Sequence, residues 1–216
     1  MTLTAPARFQ SLWQRNLIAG ASDDSPAIYQ RLLAGYQQQN RHYHSLRHIE
    51  HCLGMFEQCK SLLQEPDAIE LAIWFHDVIL ESGRRDNEAR SAQLYLELSA
   101  GAQREEMRRL VERLIMATLH DGSSLDDADS FYMVDIDLSS FGLPWEEFLR
   151  DSLDLRAENP HLCDADYHLN QTGFHRSLLA RPRFYLSDFF FERLEQQARA
   201  NLARYFEYLE TVKAGG

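Results

Sequence analysis

Cysteine, proline and glycine are scarce in this sequence, and long apolar runs are missing. Its 216 residues include only three cysteines, Cys52, Cys59 and Cys163. An odd number of cysteines without close pairs excludes a disulfide framework and a zinc-knuckle pattern, and it is typical of a reducing compartment. No run of about 18 uncharged apolar residues occurs, and residues 1–10 have no apolar signal core, so we expect a cytoplasmic protein with no membrane partner.

Positive charge is also scarce. Lys and Arg number 22 against 33 Asp and Glu, which gives a formal net charge of −11 and a pI near 5.2. No run of basic residues is long enough to follow a phosphate backbone, which argues against duplex nucleic acid as a partner. Small anions remain compatible with this charge, because a cation bound in a cleft reverses the field locally.

The composition and the apolar pattern predict one all-α domain over residues 1–216. The chain is 44% apolar and 25% charged, as in an ordinary globular domain, and its length suits a single core. Apolar residues recur at helical spacing, and no segment shows the sustained alternation of a strand. Helices are predicted over residues 7–19, from 26, 44–63, from 66, 86–99, 103–120, a short stretch including 131–141, from 144, 164–179 and 187–213.

A histidine and an aspartate stand side by side in the otherwise apolar run 71–80. Burying the Asp77 carboxylate is costly unless it is neutralised, paired or bound to a cation. Upstream, the predicted helix places His44, His48 and His51 within about 60° of arc, opposite its apolar side. A solvated polar stripe would give the same pattern on that helix alone. Together with His76-Asp77, however, the histidines indicate a metal site, since imidazole and carboxylate are ligands of Zn, Mn and Fe.

A third group of candidate ligands lies downstream. Asp135 and Asp137 flank the apolar stripe of their helix on opposite borders, about 200° apart, so helical geometry cannot choose between them. At most one of them should reach a given metal ion. The other is expected to be a surface or capping carboxylate.

The order of these residues resembles a known signature. His48, then His76-Asp77, then Asp137 is similar to the metal-binding pattern of the HD superfamily of all-helical metal-dependent phosphohydrolases. The segment Tyr43-His44-Ser45-Leu46-Arg47-His48 resembles the Tyr-His-Asn-x-x-His segment of cyclic-nucleotide phosphodiesterases, and Ile136-Asp137-Leu138-Ser139 resembles their Cys-Asp-Leu-Ser. Nearly the whole chain resembles an uncharacterised bacterial family of predicted metal-dependent HD-superfamily phosphohydrolases.

The resemblance implies a fold, a cofactor and a set of roles. The fold would be a single-domain helical bundle of the HD type, holding a divalent ion (Mn, Mg, Fe, Co or Zn) on His48, His76, Asp77 and Asp137. It thereby favours Asp137 over Asp135. His44 would be the proton donor to the leaving oxygen.

The expected reaction is hydrolysis of a phosphate ester, either a monoester or a diester, of a small nucleotide or other phosphorylated metabolite. A metal-activated water would be the nucleophile, which Asp77 would help to orient, and His44 the general acid. One alternative is a di-iron oxygenase of the HD type, which would need further ligands such as His120 and His51. Another is a non-catalytic binding module stabilised by a metal with only protein ligands.

Four further residues are candidates for a second metal or for substrate: His120, His51, Arg84 and Glu88. Asp77 is followed by Val78 where the phosphodiesterases have a histidine that organises a second metal, which argues against two ions. At a helix C-terminus, His120 would also be favoured by the helix dipole, and Arg84 also fits an ordinary solvated loop. The apolar run 189–191 is a candidate interface for a homodimer.

Overall fold

A computed structural model describes residues 5–120, 125 and 127–214, and this part of the chain is all-α, as predicted. It contains no β-strand, only an isolated bridge between Leu17 and Gln103. Two short 3-10 helices, Lys60–Leu62 and Leu138–Gly142, follow α3 and α7. The α-helices are α1 (Ala5–Arg15), α2 (Ser25–Tyr36), α3 (Leu46–Cys59), α4 (Pro66–Phe75), α5 (Asn87–Ser99), α6 (Glu105–Ala117), α7 (Ala128–Asp137), α8 (Trp145–Ala157), α9 (Asp164–Leu179) and α10 (Asp188–Ala214).

Helix α4 forms the centre of the core. Every residue from Ala68 to Phe75 is buried, including the carboxylate-bearing Glu70, which pairs with Arg8 at 2.6 Å. Phe9 of α1 packs edge-on against Trp74, with ring centroids 5.6 Å apart. Because no face of a central helix meets solvent, the sequence around His76-Asp77 is apolar on all sides.

Helix α2 crosses close to the residues that follow α4. A Cβ atom at Gly35 would lie 2.7 Å from the Val78 carbonyl oxygen, so only glycine permits this approach. The Tyr36 hydroxyl donates to the Trp74 carbonyl at 3.0 Å. These two contacts fix the end of α4, where His76 and Asp77 lie.

The first helix, predicted over 7–19, ends at Arg15. Two further predicted helix ends are wrong, and both concern site residues. Helix α3 begins at Leu46 with Ser45 as an extended N-cap residue, so His44 precedes the helix. The backbone N–H groups at 42–44 instead donate to the carboxylate of Glu158, which replaces helical partners. Helix α6 ends at Ala117, and His120 lies beyond it with a positive φ of 52°.

The sequence predicts a surface or capping role for the aspartate that is not a ligand. Asp135 is a capping carboxylate, and it is completely buried. It accepts hydrogen bonds from Leu186 N at 2.8 Å and from Ser187 N and Oγ, both at 2.7 Å. Burial raises the pKa of Asp135 to about 6. This carboxylate therefore ties α7 to the start of α10.

The apolar run 189–191 is divided between core and surface. Phe190 is fully buried, whereas Phe191 is 37% exposed and lies under the Arg183 guanidinium at 4.0 Å. Phe189 is covered by Arg193 at 3.9 Å. Within the described part of the chain, no helix combines the length and apolarity needed to cross a bilayer.

Candidate metal centre

Four side chains, carried by α3, by α7 and by the two residues that follow α4, converge at one point. The atoms His48 Nε2, His76 Nε2, Asp77 Oδ2 and Asp137 Oδ1 form a cluster in which all donors lie within 4.8 Å of one another. The distance from His76 Nε2 to Asp77 Oδ2 is 2.9 Å, and His48 Nε2 lies 3.1 Å from Asp137 Oδ1 and 3.3 Å from His76 Nε2. The structure thus brings together the four residues that the sequence resemblance selected as ligands.

These separations fit a single divalent ion. Donors about 2.1 Å from one ion lie about 3.0–3.4 Å apart along the edges of an octahedron or tetrahedron. Five of the six pairs in the cluster measure between 2.9 and 3.5 Å. Two imidazoles and two carboxylates are also the donor types that Zn, Mn, Fe and Co accept. By both distance and chemistry, the donor set fits a divalent transition metal.

The His76 ring is held in the orientation that metal binding requires. Its Nδ1 lies 3.0 Å from the Ile73 carbonyl oxygen, which can only accept, so Nδ1 carries the proton. In the neutral ring, which is the form that binds a metal, the lone pair is therefore on Nε2, which faces the other three donors. A backbone carbonyl that fixes the tautomer in this way is a common partner of ligand histidines.

Charges in the cluster stabilise the ionised carboxylates. Burial opposes ionisation of Asp77, but His76 and His44 outweigh it and lower its pKa. Burial likewise opposes ionisation of Asp137, yet its contacts with His120, His48 and His76 hold its pKa well below the usual value. Two negative carboxylates that face each other across two imidazoles form a site of cation-binding character.

Arg41 fixes the backbone around the centre, a role that no sequence motif indicates. The residue is 7% exposed, and its guanidinium donates to the carbonyl oxygens of Asp77 at 2.5 Å, Val78 at 2.8 Å and His44 at 3.0 Å. It therefore joins the segment that carries His44 to the segment that carries Asp77.

His44 faces the cluster from outside the helix. Its Nε2 lies 4.0 Å from Asp77 Oδ2, and its Nδ1 lies 2.5 Å from Glu158 Oε2. The other oxygen of Glu158 accepts the backbone N–H groups of His42, Tyr43 and His44 at 2.8–2.9 Å. Burial lowers the pKa of His44, but Asp77 and Glu158 outweigh it and raise the pKa to about 9. The carboxylate of Glu158 therefore favours the protonated form of the imidazole.

Of the four additional candidates, His120 contacts a residue of the cluster directly. His120 Nε2 is 2.9 Å from Asp137 Oδ2. Glu88 is half-buried, and burial raises its pKa, as do the charges of Asp77 and Asp137. His51 instead donates from Nε2 to Ser139 Oγ at 2.8 Å, and Arg84 forms a two-pronged pair with Asp86 on the surface.

No family model, curated protein or solved structure matches this chain. The interpretation of the site therefore depends on its own geometry.

Proposed function

We propose that the protein is a metal-dependent hydrolase of phosphate esters, acting on a small nucleotide or another phosphorylated metabolite. One observation carries this proposal above the others: the imidazole of His44 is fixed by Glu158 so that its Nε2 faces the four-donor cluster. A cluster that served only to stabilise the fold would need no oriented proton donor beside it. The ligands would be His48, His76, Asp77 and Asp137, and the ion one of Mn, Mg, Fe, Co or Zn.

The bound ion would supply Lewis acidity, which polarises a phosphoryl oxygen and lowers the pKa of a bound water from 15.7 to about 7. Asp77 has a second task in this proposal. Its ionised carboxylate accepts a hydrogen bond from the attacking water and orients it, since the low pKa keeps it an acceptor at neutral pH. Arg41, bound to the Asp77 carbonyl, holds this carboxylate in place.

His44 acts as the general acid. As the bond between phosphorus and the leaving oxygen breaks, Nε2–H protonates that oxygen, while Nδ1–H remains hydrogen-bonded to Glu158. A positioned proton donor of this kind contributes about 10²–10⁴ in rate. Because Glu158 also accepts three backbone N–H groups, the imidazole keeps its orientation after the proton has left.

The two alternatives receive less support from the contacts. A di-iron oxygenase would recruit His51 as a ligand, but its Nε2 donates to Ser139. A metal-stabilised binding module would not need the imidazole of His44 to face the cluster. Cys52 and Cys59 are buried free thiols, which supports a reducing and therefore cytoplasmic location.

The test combines metal analysis with turnover. Purified protein, His48→Ala and Asp77→Ala are compared for bound metal, and phosphate release is assayed on nucleoside monophosphates and cyclic nucleotides under Mn, Mg, Co, Fe and Zn. We expect stoichiometric metal and metal-dependent turnover in the parent, with both lost in the two variants. His44→Ala should keep its metal and lose turnover. Absence of bound metal under every condition, or full turnover in His44→Ala, would refute the proposal.

A further inference from the structure

His120 has an unusual backbone conformation next to the metal centre. With φ of 52°, it is the one non-glycine residue among those described that lies in the left-handed region. Such residues are uncommon and, when they occur, are often held in place for function. The side chain reaches Asp137, whose Oδ2 is 2.9 Å from His120 Nε2.

The two oxygens of Asp137 are divided between different partners. Oδ1 lies 3.1 Å from His48 Nε2 and 3.5 Å from His76 Nε2, inside the four-donor cluster. Oδ2 is directed to His120 instead. One carboxylate therefore serves the cluster with one oxygen and is held by its other oxygen.

The protonation pattern makes His120 a donor in this contact. His120 is not among the four residues whose donor atoms lie within 4.8 Å of one another. Outside that cluster, its contact with Asp137 is a hydrogen bond in which the carboxylate oxygen accepts and Nε2 carries the proton. His120 Nδ1 is buried and has no hydrogen-bond partner. A lone pair on that nitrogen is tolerated better than an unpaired N–H would be. With its proton on Nε2, the imidazole has no lone pair there to offer to an ion.

A second contact fixes the ring. Phe174 of α9 packs against the His120 imidazole with ring centroids 6.1 Å apart. The side chain is thus held by packing against Phe174 and by the hydrogen bond to Asp137. Both restraints keep the donor in a constant position. They matter because a residue outside any helix is otherwise more mobile.

From these contacts we propose that His120 is a positioning residue for the metal centre and not one of its ligands. By occupying Asp137 Oδ2, it restricts that aspartate to a single donor oxygen, Oδ1. The coordination position that a second oxygen would fill then stays open for water or for a phosphate oxygen of the substrate. This inference rests on the proposed function, because it concerns the same metal centre.

Two substitutions separate the donor from the backbone. In His120→Gly the imidazole is lost, while glycine adopts the left-handed conformation without strain. In His120→Gln the terminal amide keeps an N–H donor at a similar reach. His168→Gln is the matched control, because His168 lies on α9 in the groove with Phe206 and Leu209. Each protein is titrated with Mn²⁺ in competition with a chelating dye, and the Co²⁺-loaded form is examined by visible absorption.

The expected result is a 10–100-fold loss of Mn²⁺ affinity in His120→Gly, an effect of the size known for groups that orient metal ligands. The number of ions bound should not change, but the Co²⁺ spectrum of His120→Gly should change. His120→Gln and His168→Gln should resemble the parent in both affinity and spectrum.

The following outcomes would contradict the inference. Parent-like affinity and spectrum in His120→Gly would overturn the inference alone. Loss of one of two bound ions in both His120 variants would also overturn it, because His120 would then be a ligand. Equal weakening in Gly and Gln variants would overturn the donor assignment. A parent that binds no ion would refute the proposed function, and this inference with it.

Discussion

Glu158 Oε2 lies 2.5 Å from His44 Nδ1, although the two residues are 114 positions apart in the sequence. The same carboxylate accepts three consecutive backbone N–H groups through its other oxygen. Glu158 is 5% exposed, so these charge-assisted hydrogen bonds form in a region with little water. A single side chain at the end of α8 thus determines both where the segment before α3 lies and which way its imidazole faces.

The first prediction concerns this carboxylate. Glu158→Gln keeps the size of the side chain and one acceptor oxygen for the backbone, but it places an N–H group against His44 Nδ1–H. The imidazole then loses both its orienting acceptor and part of the charge that raises its pKa. We expect turnover to fall about 10²-fold, within the range for a general acid, while metal content is unchanged. Steady-state kinetics and elemental analysis of the same preparation measure both.

Helix α8 offers the matched control for that substitution. Glu146 lies exposed at the start of α8, and Glu146→Gln should leave turnover as it is in the parent. Undiminished turnover in Glu158→Gln would show that His44 needs no orienting carboxylate. Loss of metal in the same variant would show that Glu158 acts on the ligands.

The second prediction compares two aspartates that the sequence alone could not tell apart. Asp137→Asn should abolish metal binding, because it removes a charged donor from the cluster. Asp135→Asn should keep the metal but lower the free energy of unfolding by about 1–3 kcal/mol, since the amide cannot accept from Leu186 and Ser187 as the carboxylate does. Metal analysis and urea denaturation of both variants test this. Metal loss in Asp135→Asn would mean that the α7–α10 tie also positions the ligands.

The parts of the structure that follow from local sequence were predicted well. The bounds of α10, Asp188–Ala214, agree within one residue with the predicted range 187–213, because apolar residues that recur at spacings of three and four determine a helix locally. The cost of burying Asp77 was also visible, since an ionisable pair inside an apolar run demands a partner. Choosing Asp137 required the resemblance, because a helical wheel shows faces and not the distance to another helix.

The parts that depend on contacts between distant residues were not visible. The start of α3 was placed at His44 because nothing nearby reveals that Glu158 accepts the N–H groups at 42–44. Helical geometry therefore put His44 and His51 on one face, whereas the structure sends His51 to Ser139. Arg41 carries no motif, and only the tertiary fold brings its guanidinium to the carbonyl groups of the centre.

The third prediction concerns Arg41. Arg41→Lys keeps the charge but cannot donate in a planar fork to the carbonyl oxygens of Asp77, Val78 and His44. Buried acceptors left without donors cost about 1–3 kcal/mol each, so we expect a loss of stability of about 3 kcal/mol and weaker metal binding. Denaturant unfolding and metal titration measure the two effects. Arg15→Lys, at a partly exposed pair with Asp67, should lose much less stability. Equal losses in both variants would contradict this special role for Arg41.

The fourth prediction concerns removal of the metal. An ion that binds only the folded state stabilises it by about 2.7 kcal/mol when its concentration is 100 times the dissociation constant. Excess chelator should therefore lower the unfolding temperature of the parent protein. The same chelator should not change the unfolding temperature of His48→Ala, which lacks one donor of the cluster. Differential scanning calorimetry provides the comparison, and an equal decrease in both proteins would place the stabilising ion elsewhere.

The last prediction concerns His175, a buried histidine that has no role in the proposed reaction. His175 is 4% exposed and lies between the rings of Phe141 and Tyr205, with centroids at 5.5 and 5.6 Å. Burial lowers its pKa to about 4, and its Nδ1 has no hydrogen-bond partner. The unfolded chain, with an ordinary histidine pKa of about 6.5, binds the proton more readily. Stability attributable to His175 is therefore complete above pH 6.5 and is lost as the pH falls toward 4.

A shift of this size corresponds to about 3 kcal/mol of stability lost between pH 6.5 and 4. His175→Phe removes the titrating group and keeps an aromatic ring in an aromatic environment. Between pH 6.5 and 4, we expect the unfolding free energy of this variant to fall by about 3 kcal/mol less than that of the parent. Urea denaturation of both proteins at closely spaced pH values measures the difference. His161→Phe changes an exposed histidine and should follow the parent curve. Parallel curves for His175→Phe and the parent would mean that the folded protein protonates His175 as readily as the unfolded chain does.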